Sequence, residues 1–243
     1  VPERGFLSSE PAKTWEEGLI TGNGRLGLNA YSRPNAERVI FSHEVLFMPM
    51  GDPVVPLDQS AELPKVRELI AEGKYTEAAA LQFEKSGQEG FMYPDYYVPA
   101  FDLSIVREAQ GEVRDYSRSV NFSSGEVSVQ WTDDAGTFQR TVFASRENGV
   151  AVIRIAGDNP SAVSTILRME PREASDYFNT DTDINDRSDE SFKKHFGDLT
   201  SASTEDSISY SARCLKAYPK SIKSVNAYAR VALKGGSSTP LED

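Results

Sequence analysis

"GLITGNGRLGLNAY", residues 18–31, decides how this chain folds. Gly22, Gly24 and Gly27 spell G-x-G-x-x-G, the spacing of a dinucleotide-binding loop. Such a loop runs from a strand directly into a helix whose N-terminus carries the pyrophosphate. Here Leu26, Leu28 and Ala30 put an apolar residue at every second position, so a second strand follows the glycines instead. Pro34 and Asn35 then mark a turn. The acidic residue that a dinucleotide loop needs about 20 positions further on falls by count on Glu44, which has no strand end to sit on. The nucleotide reading fails on these flanks. Asn23-Gly24 reads as a hairpin turn, since both residue types tolerate positive φ.

Extended patterns continue on either side. "ERVIFSHEVLF" (37–47) follows the turn, and "FDLSIVRE" (101–108) alternates. In "EVSVQWTD" (126–133), Val127, Val129 and Trp131 fall on one face. "DDAG" leads into "TFQRTVFAS" and Asn148-Gly149 into "VAVIRIAG", a meander of three strands. The last clear strand is "VNAYARVAL" (225–233). One region is helical. Residues 62–86 place Leu63, Val66, Leu69 and Ile70 on one stripe, with Pro64 in the first turn and Gly73 dividing two helices. The fold class expected is mainly β: antiparallel sheets packed face to face, with a short helical insertion at about 62–86. The length fits one large β domain or two small ones. A polar, acidic connection spans about 171–207.

Composition excludes several functions. The net charge of −11, with no offsetting basic patch, argues against a nucleic-acid partner. No apolar run reaches the roughly 18 to 20 residues of a membrane span. The single Cys214 rules out an internal disulfide and a cysteine-built zinc site, and it reads as a small core residue. A catalytic thiol needs a histidine partner, and His43 and His195 lie in unrelated contexts. "DTDINDRSDESF" (181–192) offers Asp181, Asp183 and Asn185 at calcium-loop positions but has Asp186 where Gly belongs and Phe192 where Glu belongs. It reads as a solvated acidic loop. No metal or cofactor is expected, and no nucleophile elbow, H-E-x-x-H or P-loop occurs.

Two constellations are candidates for ligand binding or domain contact. His43 and Glu44 sit in an apolar strand, so one of them points toward the core or an interface, and the Asn23-Gly24 turn places Arg25 near the sandwich's end, where a neighbouring domain could be met. "GFMYPDYYVPAFDL" (90–103) clusters Phe91, Tyr93, Tyr96, Tyr97 and Phe101. Aromatic faces with nearby polar groups suit the apolar C–H face of a sugar, and equally suit packing against a neighbouring domain. The candidate residues are therefore Asn23, Arg25, His43, Glu44, Tyr96 and Tyr97.

Residues 11–47 also resemble a known family. The N-terminal domain of family 95 glycoside hydrolases, the α-L-fucosidases and relatives, opens with Pro-Ala-x-x-Trp-x-Glu-Ala-Leu-Pro-Ile-Gly-Asn-Gly-Arg-Leu-Gly. Pro11, Ala12, Trp15, Glu17, Leu19 and Gly22 to Gly27 match it, and Glu37, Arg38 and Leu46 match the strands beyond. The resemblance covers residues 11 to about 157 well and the remainder loosely. It implies a single domain over 1–243, a β super-sandwich similar to galactose mutarotase, followed in the parent protein by a catalytic barrel of paired helices. No catalytic residue carries over to this chain. Ser42-His43-Glu44 and Phe47-Met48-Pro49-Met50 depart from the family pattern, so fucose specificity does not carry over either.

The resemblance implies a non-catalytic domain of an exported (periplasmic, cell-surface or secreted) glycoside hydrolase. Its partner would be the downstream domain of the same chain, with an oligosaccharide at the shared cleft. The terminal stretches "VPERGFLSSEP" and "KGGSSTPLED" read as imposed boundaries of a longer protein. Two alternatives stay open: an autonomous carbohydrate-binding module using the aromatic cluster, and a mutarotase-like epimerase using a His and a carboxylate.

Overall fold

A computed structural model describes residues 2–49, 57–87, 95–159, 163–172 and 196–241. Strands β1 (Gly5–Ser8), β2 (Leu19–Gly22), β3 (Leu26–Ala30), β4 (Ala36–His43) and β5 (Phe47–Met48) precede helices α1 (Leu63–Ala71) and α2 (Tyr75–Lys85). β6 (Tyr96–Tyr97), β7 (Phe101–Val106), β8 (Arg114–Asn121), β9 (Val127–Asp133), β10 (Gly136–Ala144), β11 (Ala151–Gly157) and β12 (Ile166–Glu170) follow. β13 (Phe196–Ser203), β14 (Ser207–Cys214) and β15 (Ser224–Arg230) come last.

Two five-stranded sheets make the sandwich, in the orders β1-β8-β9-β10-β11 and β12-β7-β4-β3-β2. All their ladders are antiparallel. They meet where β10 crosses β2 and β3. Period-two patterning decides what goes between them: Val127 from one sheet and Leu28 and Val39 from the other are all buried. Trp131 is 1% exposed and stacks on Phe138 at 5.3 Å between ring centroids. A third sheet, β13-β14-β15, adds Phe196, Ile208, Tyr210, Ala212 and Cys214 to the same core. In "SISYSARC" the even-numbered residues are buried, while Ser209, Ser211 and Arg213 are less so. Burial pushes the Cys214 thiol up, consistent with a packing residue and not a nucleophile.

The expected meander forms as β9-β10-β11, and the helical pair forms at the expected place. Gly73, at φ +74°, ends α1: its N–H donates to Ile70 O at 3.0 Å and that of Lys74 to Leu69 O at 2.8 Å. Val66, Leu69 and Ala78 form a small core of their own, while Ile70, Tyr75 and Phe83 stay exposed. One expectation is corrected at its edge. The polar connection read over 171–207 includes β13 at its C-terminal end. "FGDLTSAS" pairs on one side only and lies largely exposed, with Asp198 at φ +52° and a register shift between Gly197 and Thr200. It therefore carries no apolar alternation from which a strand could be read. His195, Phe91, Tyr93 and the 181–192 stretch lie outside the described residues.

Charged residues are also built into the interior. Glu37 of β4 and Arg140 of β10 pair across the sandwich at 2.5 Å, both essentially inaccessible. Glu37 Oε1 also accepts the N–H groups of Ser32 at 2.8 Å and Arg38 at 2.9 Å. Burial pushes the Glu37 carboxyl above its ordinary value, against the pull of Arg140 and those two donors. Nearby, Arg107 pairs with Asp133 at 2.5 Å, donates to Asn35 Oδ1 at 3.0 Å and lies over the Phe138 ring. Burial opposes the Asp133 charge, but the Arg107 guanidinium and the Ala135 N–H outweigh it and hold this carboxyl below its ordinary value.

Two outcomes are expected. Arg140→Met strands a buried carboxylate and should cost about 3–5 kcal/mol in chemical denaturation. Adding Glu37→Leu should recover much of that loss; a double variant as unstable as the sum of the singles would count against the pairing. The lowered Asp133 value means that its contribution is complete above the ordinary aspartate value of 3.8 and is lost as pH falls through its lower folded value. Between about pH 5 and pH 2 the urea midpoint of the native chain should fall more steeply than that of Asp133→Asn.

Candidate functional site

The hairpin read from the opening stretch forms, and each of its glycines has a separate reason. β2 pairs with β3 up to Gly22 opposite Gly27. Gly24 lies at φ +94° with nothing within 4 Å of where a Cβ would stand, so conformation alone requires glycine there. A Cβ on Gly22 would meet Leu26 O at 2.8 Å, and one on Gly27 would meet Ser42 Oγ at 2.7 Å. Asn23 does not take the positive φ expected of it; its side chain closes the turn instead. Oδ1 accepts from the N–H groups of Arg25 at 3.0 Å and Leu26 at 2.8 Å, while Nδ2 donates to Ser145 O at 2.8 Å. The last bond ties the turn to the end of β10. Asn23 is thus occupied internally.

That anchoring holds Arg25 outward. Its carbonyl accepts from Glu44 N at 2.8 Å, and its Nε meets Glu44 Oε1 at 3.0 Å, with the two side chains 74% and 42% exposed. A pair so exposed contributes about 0–1 kcal/mol, so stability does not account for it. His43, opposite Leu26 on β3, is half-buried; its Nδ1 faces Val45 N at 3.4 Å. Past the turn, Leu46 O accepts from Val98 N at 3.1 Å, which brings β5 beside β6. Tyr97 then sits opposite Phe47, edge to face at 5.3 Å, both about half exposed. Tyr96 turns the other way and packs on the main core.

Arg25, His43 and Glu44 therefore form a rim at one end of the β3–β4 ladder, and the chain runs from Glu44 through the exposed Val45 to Phe47, which pairs with Tyr97. Asn23 is bonded within the turn and to Ser145, and Tyr96 packs on the core. The groups available are a guanidinium, a carboxylate, an imidazole and two uncovered rings, which suit hydrogen bonding and stacking. Among the described residues no group of three or more His, Cys, Asp or Glu could hold a metal ion. Nor is any described helix long and apolar enough to cross a membrane. Val45 and Phe47 escaped sequence reasoning because they read as continuation of an apolar strand; His43-Glu44 breaking that run was the available signal.

Comparison with known proteins gives two findings. The family described as Glycosyl hydrolase family 65, N-terminal domain, matches residues 6–214. Alpha-L-fucosidase 2 of Arabidopsis thaliana is 27% identical over 159 residues, covering 63% of this chain and 18% of that protein. The chain thus spans about a fifth of the length of this curated relative. The matching family carries the number 65 where the resemblance of residues 11–47 pointed to 95; both are N-terminal domains of glycoside hydrolases.

Truncating Asn23 should separate support from contact. Asn23→Ala loses three hydrogen bonds and leaves Ser145 O without its donor, an expected loss of about 2 kcal/mol by thermal or urea melting. Arg25→Ala should change stability by less than about 1 kcal/mol. Equal losses for the two variants would contradict the division.

Proposed function

The chain belongs to the glycosyl hydrolase family 65 N-terminal domain family, and from that premise we propose that it is the non-catalytic β-sandwich domain of a larger exported glycoside hydrolase. In this reading it packs against a downstream catalytic domain of paired helices, and the Arg25–Glu44–Tyr97 rim forms one wall of the glycan cleft. The rim is the observation that carries it. Its ion pair and aromatic rings are exposed and are not consumed by bonding to the interior. The relative's much greater length and the exposed apolar residues of α1 and α2 (Ile70, Tyr75 and Phe83) support a docked partner domain.

The chemistry would belong to that partner domain: acid-assisted cleavage of a glycosidic bond by paired carboxyl groups. This domain would contribute orientation, with Arg25 and Glu44 bonding sugar hydroxyls and Tyr97 stacking on a ring face. The exposed Phe47–Tyr97 pair also favours a second reading, an autonomous sugar-binding module.

The gene decides the first point: the sequence after Asp243 should encode paired amphipathic helices, and that before Val1 a signal peptide. A stop codon near Asp243 would overturn the proposal. In the complete protein, Arg25→Ala and Tyr97→Ala should each lower kcat/KM on a panel of nitrophenyl glycosides about tenfold, the loss of one contact of about 1.4 kcal/mol. Unchanged kinetics would remove the rim from the cleft. Turnover by residues 1–243 alone would contradict the non-catalytic role, and rim-dependent glycan binding by them alone would favour the binding module.

A further inference from the structure

Four arginines are buried among the described residues, and three of them have a carboxylate partner. Arg107 has Asp133, Arg140 has Glu37 and Arg172 has Asp102. Arg118, on β8 and 6% exposed, has none. Its Nη1 donates to Glu17 O at 2.8 Å, and its Nε has no hydrogen-bond acceptor. A guanidinium taken out of water and given only a carbonyl is an unbalanced charge.

This side chain lines a cleft of about 500 Å³ between β1 and the segment leading into β2. The cleft adjoins Leu19, at the end of β2 opposite the Asn23 turn, so it is separate from the rim. Phe6, about half exposed on the edge strand β1, supplies an apolar wall. Ser8, Glu10, Lys13, Glu16 and Glu17 complete the polar lining, and the Glu17 carboxylate accepts from Lys13 N at 2.7 Å.

We propose that this cleft binds a hexuronate, a sugar that carries a carboxylate. The carboxylate supplies the anion that Arg118 lacks, in a charge-assisted bond at a desolvated site. The hydroxyls donate to Glu10 and Glu16, and the C–H face of the ring lies on Phe6. The volume lies within the range of small-ligand sites. The same lining favours a single negative charge over phosphate and other multiply charged anions, which the carboxylates of Glu10, Glu16 and Glu17 repel more strongly. The argument rests on Arg118 and its cleft and stands apart from the rim reading.

Titration of the protein with sodium D-glucuronate, D-glucose and sodium acetate, followed by calorimetry or amide shifts, tests this. Glucuronate should saturate and bind at least tenfold tighter than either glucose or acetate. Phe6→Ala, at an exposed position, should weaken glucuronate several-fold, while Tyr97→Ala on the rim should leave it unchanged. Arg118→Lys, if its melting shows it folded, should abolish the preference for glucuronate over glucose. No saturation by glucuronate, equal affinity for glucose, or an affinity for acetate matching that for glucuronate would each overturn the proposal. So would binding that Phe6→Ala leaves intact or that Tyr97→Ala removes.

Discussion

The Glu37–Arg140 ion pair is the constraint around which the sandwich is arranged. Both charges are withdrawn from water, and each is surrounded by further donors or acceptors. Arg140 donates to Arg33 O at 2.5 Å as well as to Glu37, and lies 5.3 Å from the Trp131 ring centroid. Glu37 draws in the N–H of Ser32, a residue at φ +59°, so the pair also shapes the link between β3 and β4. From the other sheet, Tyr116 OH donates to Ser32 O at 2.7 Å. A one-residue slip of β10 would send Arg140 outward, bring Gln139 inward and leave Glu37 buried without its cation. Charge thus specifies the register that the apolar residues alone would define less sharply.

Held in that register, β10 carries Ser145 at its end to the place where Asn23 can bond to it. The turn is therefore anchored to both sheets, by its own ladder on one side and by the Asn23 amide on the other. A rim residue on such a support is pre-oriented, which limits the ordering cost of a contact. Interior and rim use charge in opposite ways. The interior pairs are enclosed and multiply bonded, whereas Arg25 and Glu44 meet in solvent, where their pairing contributes little and both remain available.

Much of this was legible in the chain. Alternation in "EVSVQWTD" and "TFQRTVFAS" identified β9 and β10, and Gly73 with Pro64 bounded the helical pair. The buried charges left a trace: Arg140 is in phase with Phe138 and Val142, and Glu37 with Val39 and Phe41. A charge in the inward phase predicts a partner but not which one, because 103 residues separate these two. The third sheet was only partly legible, since β13 faces solvent along most of its length and so lacks apolar alternation. Of the candidate residues, Arg25, His43 and Glu44 lie at one strand end and Tyr97 pairs with Phe47, while Asn23 and Tyr96 are turned to internal use.

The sequence by itself determined that the G-x-G-x-x-G string is a hairpin in an antiparallel β domain. Period-two alternation is a local property, and it leaves no helix to receive a phosphate. The same string also pointed to the N-terminal domain of a glycoside hydrolase. Only the tertiary structure decided which charges are paired and which are not. Burial and partnership are set by strands distant in sequence, so Glu37 and Arg118, both inward members of alternating strands, look equivalent along the chain. One meets an arginine across the sandwich and the other meets a cleft, and that difference exists only once the two sheets are packed.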